Sequence, residues 1–302
     1  MMSRSPHAPR AKYQFVSALL FLLPGFLLLF VFFLGPLVYS FRISFFDWNF
    51  AHPERSVFVG FENYLGQINN PIFHRAVINT AVYTFFTVVA KLVLGFFAAI
   101  VLNQKIPARS FFRVAYYLPV ITSWVIVSLL FMYMFSGMGG LVNYLLKDVF
   151  HLINKNIIWL ADPILALVPV ILVDIWKGVG WVTVIFLSGL QTISKELLEA
   201  AEMDGATPWQ RLTRITLPLL RGTTVFLVVV LILGGLNSYV PFQLITHGNP
   251  MDKTHSILTL MYRATFSRMD FGNGAAISYL LTLFVFALSV VQLKMLNKPI
   301  GE

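Results

Sequence analysis

An all-α, polytopic membrane protein with six transmembrane helices is the fold class this sequence predicts, on three observations. Apolar residues fill 58% of the 302 positions and charged residues only 12%, and the mean hydropathy is +0.77, outside ordinary soluble composition. Six stretches reach the roughly 20 mostly apolar residues that a helix rising about 1.5 Å per residue needs to cross a bilayer. No linker separates them, so residues 1–302 are expected to form a single transmembrane domain.

The first span, near Phe15–Tyr39, follows Arg4, Arg10 and Lys12. Its apolar run is too long for the core of a signal peptide, and no small-x-small cleavage site follows, so it is expected to stay in place. Pro24 and Pro36 are expected to kink it, since neighbouring helices can satisfy the freed carbonyls. The others lie near Phe73–Leu102, Phe111–Phe135, Ile164–Leu187, Leu219–Ile245 and Phe271–Leu293. The segments 40–72, 137–160 and 246–270 are long enough for short helices and loops, with Trp48, Trp124 and Trp159 expected at interfaces.

Orientation follows from the basic residues. With a cytoplasmic amino terminus, that side carries Arg4, Arg10, Lys12, Lys105, Arg109, Arg113, Lys195, Arg211, Arg214, Arg221, Lys294 and Lys298. The opposite side carries Arg42, Arg55, Arg75, Lys147, Lys155, Lys253, Arg263 and Arg268, spread over longer loops, so the positive-inside rule places both termini in the cytoplasm.

Several functions are excluded. The absence of cysteine removes disulfides, thiolate metal sites and a cysteine nucleophile. The six histidines, His7, His52, His74, His151, His247 and His255, are scattered over termini and loops, so neither a metal centre nor a membrane enzyme is expected. The net charge of +9 reads as membrane orientation rather than nucleic-acid binding. No Gly-x-x-x-x-Gly-Lys-Ser/Thr is present to cradle ATP phosphates, so any nucleotide energy must come from another subunit.

Between the fourth and fifth spans runs LLEAAEMDGATPWQRLTRITLPLL, residues 197–220. Ser194 can cap a helix whose second position is Glu196, and that helix should stop at Gly205, where positive φ is easily placed. Thr207 and Pro208 restart a helix that presents Trp209, Leu212 and Ile215 on one face and Arg211 and Arg214 on another, until Pro218 closes it. Such a double helix suits either docking in a groove of another protein or lying on the bilayer surface.

The residues Glu199, Ala200 and Ala201, then Asp204, Gly205 and Ala206, then Ile215, Leu217 and Pro218 resemble the EAA loop of ABC importer permeases. VGFENY at Val59–Tyr64, NTAVYT at Asn79–Thr84, YLPVITSWV at Tyr117–Val125 and WKGVGWVTVIFLSGLQTI at Trp176–Ile193 are similar to the carbohydrate-uptake branch, the maltose- and glycerol-phosphate-type permeases. One departure is THGNP at Thr246–Pro250, where the family's turn reads like TGGGP. The resemblance implies a type I permease fold, with residues 194–218 as the coupling loop. It also implies a second related permease, two ATPase subunits holding the ATP and Mg²⁺, an extracellular solute-binding protein and a carbohydrate-like solute, with no cofactor in this chain. A stand-alone secondary transporter or a channel subunit is the alternative. A transporter would need a self-contained ion pathway and repeat halves, and neither is legible.

Ionisable groups inside spans are costly and therefore functional candidates, and here they are Lys91, Asp174 and Lys177. Asp174, Lys177, Gly178 and Trp181 share one stripe of the fourth span. The stripe reads either as an intrahelical Asp174–Lys177 pair, or as a solute site in which Trp181 stacks, Gly178 leaves room and Lys177 donates. Lys91 has no partner legible in the sequence. Gly234 and Gly235, with Asn237, Ser238, Tyr239 and Gln243, mark either a cavity or close helix packing. The resemblance places sugar contacts at Lys177, Gly178 and Trp181 and near Gly234, Gly235 and Ser238, and the hydrogen-bonding groups of Asn237 and Tyr239 add two candidates. A lysine in the site leans toward acidic sugars or sugar phosphates, and the charge of the solute stays open.

Overall fold

The computed structural model describes residues 8–104 and 107–296. Arg4, Lys105 and Lys298, and the side chains of Arg10, Lys12 and Arg109, on which the orientation count partly rests, lie outside the described residues. Helices dominate, and a two-stranded antiparallel pair, Phe46–Asp47 with Val57–Phe58, stands outside the spans.

The first span runs as Ala8–Leu29, a π-helical turn at Phe30–Leu34, and Gly35–Ile43. Pro24 sits inside a continuous helix, and the expected kink at Pro36 takes the form of that π turn. A wider turn gives the proline ring space against the carbonyl one turn back, with which it would clash in an α-helix. All side chains from 17 to 33 are exposed, while Tyr279 and Ser40 tie the carboxyl-terminal end of the first span to the sixth through a 3.0 Å hydroxyl contact.

The second span, Pro71–Asn103, and the fourth, Leu167–Gln191, form the central packed pair. The fifth, Arg221–Leu236, continues after a break as Val240–Ile245, and the sixth is Phe271–Leu296. The third departs most from expectation. Two helices, Arg109–Ile121 and Trp124–Met134, meet at a 92° bend, so among the described residues there are five helices long and apolar enough to cross a membrane, or six if the bent pair is one span. Pro119 lies just before the bend, and Thr122 and Ser123 supply the extended residues that make it.

The segment after the fifth span is bound to the second. Asn79 donates from Nδ2 to the carbonyls of Lys253 (2.7 Å) and His255 (3.0 Å), and Thr80 accepts from the Ile257 amide. The THGNP departure keeps the glycine that matters here. Gly248 has φ +82°, and a Cβ there would land on the His255 ring. His247 adopts a left-handed conformation of its own, φ +51°. Burial lowers the His255 pKa, the adjacent Arg263 charge lowers it further, and Asp252 opposes both.

Candidate functional site

The hairpin between the fourth and fifth spans forms much as its local signals dictate. Lys195–Met203 is helical, and Gly205, at φ +80°, terminates it. The Gly205 amide donates to the Glu202 carbonyl (3.0 Å) and the Ala206 amide to that of Ala201 (2.9 Å), a Schellman closure that only a residue tolerant of positive φ makes without strain. Thr207 and Gln210 form a reciprocal capping box on the second helix, Pro208–Arg211. Arg211 bridges to Glu202 at 2.6 Å and so clamps the two helices together.

Two local expectations are corrected. The Ser194 hydroxyl donates to the Glu196 carboxylate (3.2 Å) and caps no backbone N–H. Pro218 lies inside the last turn rather than beyond it, because a π turn at Leu212–Thr216 makes room for its ring; the helix ends one residue later, at Leu219, and Leu220 turns the chain into the fifth span. Glu199, Ala200, Asp204, Gly205, Leu217 and Pro218 are exposed, Ala201, Ala206 and Ile215 partly so, and Trp209 stands 70% exposed at the tip.

Deeper in the chain, a cavity of about 440 Å³ opens between the second, fourth and fifth spans and the bend of the third. It gathers Trp181, Gly234, Gly235, Asn237, Ser238 and Tyr239 from the sequence-predicted set. It adds Tyr83, Lys91, Trp124 and Asp174. Ser238 donates to the Tyr83 hydroxyl (2.9 Å), and Asn237 gives one amide hydrogen to the Leu233 carbonyl. The adjacent glycines divide the two roles open in the sequence. A Cβ on Gly235 would press on the Thr84 side chain at 2.7 Å, so Gly235 packs the fifth span on the second, whereas Gly234 faces open space.

Lys177 and Gly178 are not brought to the cavity. Lys177 turns away and donates from Nζ to the carbonyls of Pro119 (3.1 Å), Val120 (2.8 Å) and Thr122 (2.6 Å), with its ammonium 5.1 Å from the Trp124 ring centroid. Nor does Lys177 pair with Asp174. The partner of Asp174 is Lys91, 2.6 Å away from the second span, with both side chains buried. Gly178 makes this possible, because a Cβ there would sit 2.8 Å from the Lys91 stem. Lys91 and Asp174 were singled out in the sequence as intramembrane charges, but the pairing was not. Trp124, expected at an interface, lines the cavity because the bend carries it inward.

The cavity presents aromatic faces, a hydroxyl pair and a buried ion pair, held by the packing of the second and fourth spans. No cluster of His, Cys, Asp or Glu suited to a metal ion occurs among the described residues.

Comparison with known proteins agrees with this architecture. The binding-protein-dependent transport system inner membrane component family matches residues 91–296. The arabinooligosaccharides transport system permease protein AraP of Bacillus subtilis is 33% identical over 290 residues, covering 94% of this chain and 89% of AraP. The lactose transport system permease protein LacF of Rhizobium radiobacter is 30% identical over 295 residues, covering 96% and 97%. A chain of a bacterial alginate ABC transporter, solved with an alginate pentasaccharide-bound periplasmic protein, shares the fold with a TM-score of 0.81 at 22% identity, over 97% of this chain and 98% of its own. The matched span, the hairpin between the fourth and fifth spans and the membrane helices lead to one assignment: this chain belongs to the binding-protein-dependent inner membrane components, as a permease subunit of an ABC importer.

Proposed function

We propose that this chain forms half of the translocation pathway for a carbohydrate, and that the cavity bounded by Trp124, Trp181 and Tyr239 is its half of the solute site. The observation carrying this reading is the combination of flat aromatic faces with hydrogen-bonding groups in one cavity between spans. Sugars present the matching surfaces, apolar ring faces edged by hydroxyls. The names of AraP and LacF point to the same solute class.

The other half comes from a second, homologous permease. The open side of the cavity at Gly234 and Asn237, and a first span exposed from 17 to 33, are consistent with a neighbour there. An importer of this family works with an ATPase and a binding protein. In our reading two ATPase copies, carrying ATP and Mg²⁺, receive the exposed hairpin through Glu199–Ala206 and the apolar tip at Trp209. Both termini lie in the cytoplasm. Closure of the ATPases then moves the hairpin as a lever on the fifth span, to which it is joined through Leu217–Leu219 and a single turn residue, Leu220.

The test is uptake into proteoliposomes by the full complex, loaded with a panel of neutral and acidic oligosaccharides. Trp181→Ala should lower uptake by about tenfold, the equivalent of a lost stacking contact. Size-exclusion chromatography should still show an assembled complex. Unchanged uptake in Trp181→Ala would remove the cavity from the pathway.

A further inference from the structure

We infer that the Lys91–Asp174 pair makes this half-site selective for uncharged saccharides, by reading hydroxyl groups while cancelling its own charge. The inference rests on the carbohydrate reading above and narrows it. The charged residues lining the cavity are these two, joined at 2.6 Å. A pair that close presents a dipole to anything a few ångströms away. A solute carboxylate drawn to Lys91 is pushed back by Asp174, and its lost hydration is not recovered.

The nearest other cation does not change the balance. Lys177 spends all three of its N–H bonds on carbonyls at the carboxyl end of Arg109–Ile121, where the helix dipole is negative, and it is absent from the cavity lining. The lean toward acidic solutes that a lysine at position 177 suggests is therefore withdrawn: that charge is already met within the protein.

Stability does not account for the pair. A buried ion pair is commonly no more stabilising than apolar residues of the same volume. This one also crowds position 178, where a Cβ would press on the Lys91 stem. What the pair offers is capacity. Lys91 gives one N–H to Asp174 through Oδ2 and keeps two donors, while the carboxylate, which the Tyr83 hydroxyl also contacts, has lone pairs beyond these two partners. A sugar hydroxyl is donor and acceptor at once, so neighbouring hydroxyls can accept from Nζ and donate to the carboxylate without bringing charge. Trp124 and Trp181 stand at the same cavity for the ring faces.

The experiment uses the complete complex in proteoliposomes, with its own binding protein, and measures uptake of maltose, lactose and arabinobiose beside the uronic-acid counterpart of each. The binding protein is common to all arms, so a changed neutral-to-acidic ratio between variants reports the permease. Wild type should favour a neutral member. Asp174→Asn leaves the Lys91 cation unopposed and should move the ratio toward the uronate by about tenfold, the scale of one charge-assisted hydrogen bond. The uncharged double variant Lys91→Met with Asp174→Asn should assemble, yet lose about tenfold in neutral uptake. A double variant that carries neutral sugar like wild type would overturn the inference, as would a wild type that prefers the uronate. The double variant decides the matter if Asp174→Asn alone does not assemble. If wild type carries no saccharide of either kind, the carbohydrate reading itself fails and this inference falls with it.

Discussion

The fourth span has two faces that meet a buried lysine in different ways. On the cavity side it offers Asp174 to Lys91, which arrives from the second span. On the side toward the broken third span it sends out its own Lys177 to three backbone carbonyls. Both ammonium groups are buried, and both are satisfied. The first meets a full opposite charge and keeps donors in reserve, while the second meets partial charges at a helix end and has none left. A lysine inside a span is therefore either a reader of solute or a clamp on backbone, and only its partners distinguish the two.

The sharpest way to break this comparison is to strand Asp174. Lys91→Met leaves a buried carboxylate without a counter-ion and should cost about 3–5 kcal/mol of subunit stability. Thermal unfolding of the detergent-solubilised complex reads this directly. Adding Asp174→Asn should recover most of the loss. The same addition to Lys177→Met should recover nothing, because those two residues are not partners. Recovery in the second case would restore the intrahelical pair that the sequence spacing suggested.

Removing the clamp is the next largest effect. Lys177→Met takes a donor from three carbonyls at a 92° bend between membrane helices, where water cannot replace it; Pro119 keeps Thr122 as a donor, so the loss falls on Val120 and Thr122. We expect about 2–3 kcal/mol, with partial recovery in Lys177→Arg, whose guanidinium still donates. Equal stability of Lys177→Met and wild type would show that the bend needs no clamp.

The two faces were also unequally legible in the sequence. Span positions followed from hydropathy, and the hairpin turn at Gly205 and restart at Thr207 followed from signals a few residues apart. Lys91 and Asp174 are separated by 83 residues, and no local pattern joins them. The available signals were the cost of each charge inside a span and a glycine one turn after Asp174, which marks room for a side chain from elsewhere. The bend was hidden for a different reason. Phe111–Phe135 reads as one apolar run, and a Pro119, Thr122, Ser123 sequence inside it can kink a helix or be absorbed by one. The lysine that decides the matter belongs to another span. Pro218 marked the end of its helix to within one residue, with a π turn accommodating the ring in the last turn.

The finest test uses two glycines of the fourth span, one on each face. On Gly180 a Cβ would fall on the backbone carbonyl oxygen of Tyr116, in the inner half of the broken third span. Backbone cannot step aside, so Gly180→Ala must push that helix away, and the cost should lie near the upper end of overpacking, about 3 kcal/mol. On Gly178 the new atom meets the Lys91 stem, 2.8 Å from Cε and 3.2 Å from Nζ. That stem can shift by a few tenths of an ångström, so Gly178→Ala should cost about 1 kcal/mol or less in stability. Its larger consequence is for uptake: displacing Nζ alters the geometry presented to solute hydroxyls, so uptake should fall several-fold while the unfolding midpoint barely moves, on the scale of a weakened charge-assisted hydrogen bond. Gly180→Ala should lower the midpoint first, with uptake falling as assembled complex is lost. Equal midpoints for the two alanine variants, or full uptake in Gly178→Ala, would erase the distinction between a face that reads solute and a face that packs backbone.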